Sequence, residues 1–132
     1  MGVNRTDYRR SRHAVHSVKY HFVFCPTRRR RVLKGAVAKR LRQIIEEVAA
    51  ENEWEIVKLA ILPDHVHLFL QADTRHAPYQ VVRAFKGRSS RILRDEYPRL
   101  LRLPSLWTRS YFCSTTGRVS EETVKRYIEE QS

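Results

Sequence analysis

The stretch from Leu62 to Leu70, with the sequence Leu-Pro-Asp-His-Val-His-Leu-Phe-Leu, constrains the fold of this chain most. Successive side chains of a β-strand point to opposite faces, so residues two apart share a face. In a strand that begins after Pro63, His65 and His67 therefore lie on one face, and the apolar residues between and after them lie on the other. Two neighbouring imidazoles can bind one divalent ion, although a purely structural pair has the same pattern.

The composition is that of one basic domain. The 132 residues suffice for a single core, and 26 Lys and Arg against 14 Asp and Glu give a net charge of +12. Clustered positive charge indicates a polyanionic partner, and nucleic acid fits better than a membrane, because no strongly amphipathic basic terminal helix accompanies the clusters. There is no apolar run near 18 residues and no secretory signal, so we expect a cytoplasmic protein with reduced cysteines.

Hydrophobic periodicity predicts seven elements in the order βαββαβα. Residues 1–14 are polar and basic, and we expect them to form a flexible arm. The predicted strands are His16 to Cys25, Trp54 to Leu62, the histidine strand and Leu106 to Thr116; the predicted helices are Gly35 to Asn52, Tyr79 to Glu96 and one that begins at Ser120. This order implies an α+β fold in which helices pack on an antiparallel sheet.

Several side chains could contact a nucleic acid. A turn of four arginines follows the first strand, and further polar residues lie on the second helix, although charge runs are commonly only solvated. Trp107 and Tyr111 could stack on bases or belong to the core. The candidates for phosphate contact are Arg28, Arg29, Arg30, Arg31, Lys86, Arg88, Ser89 and Arg91.

The last predicted helix carries a candidate nucleophile. Tyr127 and Gln131 are four residues apart and share a helix face. A tyrosine hydroxyl, with an ordinary pKa of about 10, is a poor nucleophile unless it is helped. A metal ion helps by polarising a phosphodiester and stabilising charge on its oxygens. The alternative is an ordinary amphipathic helix with a half-buried tyrosine and a polar end.

Six segments in collinear order resemble the single-tyrosine HUH transposases of insertion sequences. The resemblance runs from about Val15 to the last residue. The segments are Tyr20-His-Phe-Val-Phe24, Pro63-Asp-His-Val-His67, Phe85-Lys-Gly-Arg-Ser-Ser90, Leu106-Trp-Thr to Tyr111, Thr116-Gly117 and Tyr127 to Gln131.

This resemblance implies a single domain over residues 15–132, with a ferredoxin-like or RRM-like sheet and a C-terminal tyrosine helix at 120–132. It makes His65, His67 and Gln131 the ligands of Mg²⁺ or Mn²⁺, and Tyr127 the nucleophile that attacks single-stranded DNA to give a 5′-phosphotyrosine and a free 3′-hydroxyl. Asp64 could assist the site, or it could simply be an acidic turn residue.

The resemblance also implies a homodimer that recognises hairpins near the element ends and uses no nucleotide cofactor. Two alternatives stay open. One is a domesticated relative that acts on palindromes repeated in a genome. The other is a non-catalytic RRM-like nucleic-acid-binding protein, in which the histidines are structural.

Overall fold

The described part of the chain contains one four-stranded sheet with two long helices packed on one of its faces. The computed structural model describes residues 17–115, 126 and 128–130. The elements are β1 (Ser17–Phe24), α1 (Gly35–Glu51), β2 (Glu55–Leu62), β3 (His65–Asp73), α2 (Pro78–Glu96) and β4 (Phe112–Thr115), with short 3₁₀ turns at Thr27–Arg29 and Pro98–Arg102. All neighbouring strands are antiparallel, in the order β2-β3-β1-β4. The expected α+β fold is confirmed.

The sheet register follows from alternating side chains. In β1, Tyr20, Phe22 and Phe24 are buried in the core beneath the helices, so the odd-numbered residues of the same strand face the other way. β2 and β3 form a hairpin in which Leu62 is paired with His65. The two-residue Pro-Asp turn therefore fixes the register, and with it the face on which both histidines of β3 lie.

The helices bury the stripes that their periodicity predicts. On α1, Val37, Leu41, Ile44, Ile45 and Val48 are buried. On α2 the buried apolar residues are Val81, Val82, Phe85 and Leu93. Both stripes join the core that the even-numbered side chains of β1 and β3 form, and burial of this apolar area is the main favourable term in folding. The opposite sheet face is thereby left for the histidines.

The fourth strand is shorter than the sequence indicates. We predicted a strand from Leu106 to Thr116, but ladder pairing begins at Phe112. The preceding residues are instead held by packing: Leu106 and Trp107 are buried in the core. An isolated bridge joins Trp107 to Pro26. Large apolar residues favour strands partly because they fit half-buried surfaces. Here the same side chains are buried in the core without pairing to a neighbouring strand.

Several predicted features lie outside the residues that the structure describes. The basic arm at residues 1–14 lies outside the described residues, as do Tyr127, Gln131 and most of the predicted tyrosine helix at 120–132. Of that segment, residues 126 and 128–130 are described, and they are helical.

Two expectations from composition concern cysteines and membranes. Cys25 and Cys113 are free thiols, and burial raises the pKa of each. Among the described residues, no helix combines the length and the apolar character that crossing a membrane requires.

Asp73, the last residue of β3, anchors the start of the following loop. Its carboxylate accepts hydrogen bonds from Trp54 Nε1 at 3.1 Å and from the Arg75 amide at 2.9 Å. His76 Nδ1 lies 2.9 Å from the same carboxylate. Burial alone would raise the pKa of Asp73, but the hydrogen bonds from His76, Trp54 and Arg75 outweigh burial and lower it to about 2.

Replacing Asp73 by Asn should lower the free energy of unfolding by about 2 kcal/mol at pH 7, because a carboxyl held ionised well below its ordinary pKa contributes about that much. The folded-state pKa of about 2 lies below the unfolded value. The contribution is therefore complete above roughly pH 4 and is lost as the pH falls towards 2. Urea unfolding of both proteins from pH 7 downwards measures this difference.

The exposed Asp95 near the end of α2 supplies the control. Asp95→Asn should change stability little at any pH. A difference between wild type and Asp73→Asn that stayed constant below pH 4 would contradict the assignment to the ionised carboxylate.

Candidate active site

His65 and His67 lie side by side on the sheet face opposite the helices. Their ring centroids are 4.9 Å apart and the rings are nearly perpendicular. His67 is buried at 3% exposure, whereas the side chain of His65 is 16% exposed. The alternation of β3 places both imidazoles on this face, as the sequence predicts. The strand geometry therefore holds the two imidazoles against each other on one face.

Asp64 fixes the orientation of His65. Its Oδ1 lies 2.7 Å from His65 Nδ1, and its other oxygen lies 3.3 Å from Arg29 Nη2. The hydrogen bond with His65, and to a smaller extent the charge of Arg29, keep the pKa of Asp64 below its ordinary value. An acceptor at Nδ1 places the imidazole proton there and leaves Nε2 to act as a ligand, which is how carboxylates orient metal-binding histidines.

His21 also belongs to this site, which its position in the sequence did not predict. Its Nε2 lies 3.2 Å from Nδ1 of His67, and the two rings are stacked with centroids 5.4 Å apart. The alternation of β1 could show that His21 faces away from the core, but only the pairing of β1 with β3 brings it to His67.

Burial controls the charge of this histidine group. It lowers the pKa of His67 to about 4, with smaller contributions from the positive charges that His65 and His21 can carry. Burial also lowers the pKa of His21. His67 is consequently neutral at pH 7, and neutral imidazole is the form that binds a metal ion.

An open cleft of about 460 Å³ lies beside the histidines. One wall is formed by β3, the floor by β1 and the far wall by β4, while Arg29 reaches in from the arginine turn. The lining residues are His21, Val23, Cys25, Arg29, His65, His67, Phe112 and Ser114. The cleft therefore combines ring nitrogens, one guanidinium and an apolar surface.

The end of the chain reaches the same sheet face. Ile128 is fully buried and packs with Ala60 and Phe69, two residues after His67 on β3. Glu129 lies 3.3 Å from Lys58 on β2. The residues on either side of the predicted nucleophile Tyr127 are described, and this segment is thus attached to the strands that carry the histidines.

The two histidines fit half of a metal site. Imidazole nitrogen suits a divalent ion, and the carboxylate of Asp64 at Nδ1 of His65 leaves Nε2 of that ring as the ligand atom. Nδ1 of His67 lies 3.2 Å from His21 Nε2. Among the described residues no group of three His, Cys, Asp or Glu side chains is arranged to hold a metal. Gln131, the predicted third ligand, lies outside them.

Comparison with known proteins identifies the family of this chain. The family model described as "Transposase IS200 like" matches residues 14–131. The ISDra2 transposase TnpA of Deinococcus radiodurans is 35% identical over 128 residues, which cover 95% of this chain and 91% of the relative. The chain belongs to the IS200-like transposase family. The resemblance found in the sequence is confirmed, and the protein is a transposase.

Solved structures support the same family and fold. A crystal structure from Deinococcus radiodurans, assigned as a transposase, has a TM-score of 0.72 and 32% identity, and the match covers 99% of this chain and 98% of that one. A REP-associated tyrosine transposase bound to a REP hairpin has a TM-score of 0.66 at 17% identity, with 86% of this chain and 65% of that one covered. At that identity the second likeness shows the fold alone.

The arginine turn of this IS200-like transposase borders the cleft. All four residues from Arg28 to Arg31 are exposed. Arg28 and Arg29 have left-handed backbones, with φ of 57° and 52°, a conformation that is unfavourable for residues other than glycine. Hydrogen bonds from Thr27 to Ser105 and Leu106 hold the turn in place. The turn places Arg29 at the cleft, where its guanidinium lies 3.3 Å from Asp64.

Two of the basic candidates on α2, Lys86 and Arg88, already have partners within the protein. Lys86 Nζ donates to the Thr108 carbonyl at 2.5 Å, and burial lowers its pKa. Arg88 makes two hydrogen bonds to the carboxylate of Glu51, at 3.0 and 2.6 Å. Arg91 is exposed. Contact of these three side chains with DNA stays a prediction.

Ser89 corrects the sequence interpretation. It was a candidate phosphate donor, yet its side chain is buried at 1% exposure. Its hydroxyl donates to the Phe85 carbonyl at 2.6 Å and accepts from Trp107 Nε1 at 2.9 Å. The helix stripe places it against the core, where it satisfies the indole of Trp107. Ser89 is therefore a packing residue.

Replacing Ser89 by Ala should destabilise the protein by about 1–3 kcal/mol, because the buried N–H of Trp107 loses its acceptor. The DNA affinity of the folded fraction should stay unchanged. Thermal unfolding and fluorescence anisotropy with single-stranded DNA measure the two quantities. Ser90→Ala, one residue along the same helix, is the matched control. Loss of affinity without loss of stability would restore Ser89 as a DNA contact.

Proposed function

We propose that this transposase cleaves and rejoins single-stranded DNA at insertion-sequence ends, with Tyr127 as nucleophile and a divalent metal ion at His65 and His67. The observation that carries the proposal is the pair of oriented imidazoles on the sheet face to which the chain around Tyr127 is attached. The neutral charge state of His67 and the open cleft beside the pair suit a phosphodiester held next to a metal ion.

The residues that would hold the metal are His65 and His67, with Gln131 as third ligand, and the ion would be Mg²⁺ or Mn²⁺. Two imidazoles and a neutral amide oxygen add no negative charge. When bound, the ion would neutralise charge on the phosphate oxygens and stabilise the leaving 3′ oxygen. Asp64 holds His65 in the required tautomer, and Arg29 ties that carboxylate to the basic turn.

The covalent chemistry belongs to Tyr127. Its hydroxyl oxygen attacks the phosphorus, a new bond forms between phosphorus and tyrosine, and the bond from phosphorus to the 3′ oxygen breaks. The phenolic proton passes to solvent, and the departing 3′ oxygen takes one up. Attack by a 3′-hydroxyl on the 5′-phosphotyrosine reverses these bond changes and rejoins DNA without ATP, since the number of phosphodiester bonds is conserved.

The partner proposed is single-stranded DNA with hairpins near the element ends, bound by a homodimer. The net charge of +12 and the exposed arginine turn support a polyanionic partner. A tyrosine transposase of the same fold is bound to a REP hairpin, which supports hairpin DNA as the class of substrate.

The test mixes wild type, Tyr127→Phe and His65→Ala with labelled single-stranded DNA that carries the hairpins flanking the gene, in Mg²⁺ or Mn²⁺. Denaturing electrophoresis should show a covalent protein–DNA adduct with wild type only. His65→Ala should lose cleavage by at least a hundredfold, which corresponds to roughly 3 kcal/mol of transition-state stabilisation, and should keep hairpin binding, because the phosphate contacts lie elsewhere.

Tyr127 has no second tyrosine beside it, because Arg126 precedes it and Ile128 follows it. An adduct formed by Tyr127→Phe would therefore show that a residue elsewhere attacks. Cleavage by wild type in EDTA would remove the metal from the proposal. Metal-independent binding with no cleavage would favour the RRM-like binding protein, and palindromes dispersed through the genome instead of hairpins flanking the gene would favour the domesticated relative.

Asp64→Ala should weaken Mn²⁺ binding by about 10–100-fold, the usual effect of losing a carboxylate that orients a metal-binding histidine. Asp64→Asn keeps an acceptor oxygen and should lose less. Isothermal titration with Mn²⁺ alone measures both, and Asp95→Ala controls for the loss of one surface carboxylate. Equal affinity of Asp64→Ala and wild type would leave Asp64 as a turn residue only.

A further inference from the structure

Four aromatic rings form a continuous row from the histidine pair to the sheet edge. The centroid distances are 4.9 Å from His65 to His67, 5.4 Å from His67 to His21, and 6.0 Å from His21 to Phe112. The first three rings are at most partly accessible. Phe112, at the open end, is 55% exposed.

The sheet register places Phe112 opposite the proposed metal site. Val23 of β1 is paired with His67 on one side and with Phe112 on the other. Directly paired residues point to the same face, so Phe112 and His67 flank Val23 across the floor of the cleft. Two strand spacings separate their backbones, about 10 Å, a separation of the size of one nucleotide.

An exposed phenylalanine by itself is ordinary on a protein surface. Phe112 differs by its position, because it forms the apolar wall of the cleft whose other walls hold the imidazoles and the guanidinium of Arg29. Cations and ring nitrogens suit the phosphate of a nucleotide, whereas an aromatic face suits its base. The cleft therefore offers complementary surfaces for both parts of one nucleotide.

We propose that Phe112 stacks on the base next to the phosphate that is cut, and so holds the single strand in register over the histidines. This rests on the proposed function, since it requires a single strand in the cleft. A paired duplex could not present a base to Phe112, because its bases are stacked on each other. Phe112 thereby favours unpaired DNA without reading its sequence, as every base has an aromatic face.

The first test separates the contribution of the bases to binding from that of the phosphates. Fluorescence anisotropy in EDTA compares a short oligothymidylate with an abasic oligomer of the same length and charge. Wild type should prefer the oligomer with bases, and Phe112→Leu should reduce that preference by roughly tenfold, the usual effect of removing one stacking aromatic. Phe112→Trp should keep it. Thermal unfolding confirms that each variant is folded.

Tyr79 is the matched control, since it is another exposed aromatic, 50% accessible, in the first turn of α2 away from the cleft. Tyr79→Leu should leave the preference unchanged. The proposal is overturned if Phe112→Leu keeps the wild-type preference, if it loses affinity for both oligomers equally, or if Tyr79→Leu has the same effect.

A second test identifies which nucleotide carries the stacked base. Single abasic nucleotides are introduced along a cleavable hairpin substrate, on both sides of the mapped cleavage position. One position beside the cut phosphate should weaken wild-type binding and have no further effect on Phe112→Leu, because the two changes remove the same contact. Independent effects at every position would overturn the proposal, while adduct formation through Tyr127 would still support the proposed function.

Discussion

The antiparallel pairing of β1 with β3 is the constraint on which the rest of this transposase depends. It closes the core on one sheet face, because the buried side chains of both strands meet the stripes of α1 and α2 there. On the opposite face it sets His21 against His67. Since β1 also pairs with β4, the same strand connects the histidines to Phe112 at the sheet edge. One strand thus serves both the folding core and the candidate active site.

The charge arrangement around the histidines follows from this packing. Burial keeps His67 neutral, with a pKa of about 4, while the hydrogen bond to His65 helps keep Asp64 ionised. A neutral imidazole ligand and an ionised carboxylate that orients its neighbour are what a divalent ion requires. The positive charge of the arginine turn lies at the rim, where solvent accommodates it and a phosphate can approach. Arg29 of that turn brings a positive charge to the cleft itself, where its guanidinium lies 3.3 Å from Asp64.

Local patterns predicted much of the fold. The 3.6-residue stripes of Val37 to Val48 and Val81 to Leu93 located both helices, and alternation located β1 and the face of the two histidines, because these periods depend only on backbone geometry. The fourth strand was predicted too long, because Leu106 and Trp107 bury their apolar side chains in the core without strand pairing. Ser89 was misjudged for a related reason: a hydroxyl in a basic segment resembles a phosphate donor until its burial beside the Trp107 indole is known.

By itself, then, the sequence determined the two long helices, the histidine strand and the family, because these are encoded in short-range periodicity or collinear motifs. Its composition determined that the protein is basic. Only the tertiary structure decided which side chains meet. His21 and His67 are 46 positions apart, and the order β2-β3-β1-β4 brings them and Phe112 together. The packing of α2 against its neighbours also brings Lys86 to the Thr108 carbonyl and Arg88 to Glu51. Contacts of this range depend on strand order and helix packing, which the alternation within a single strand does not specify.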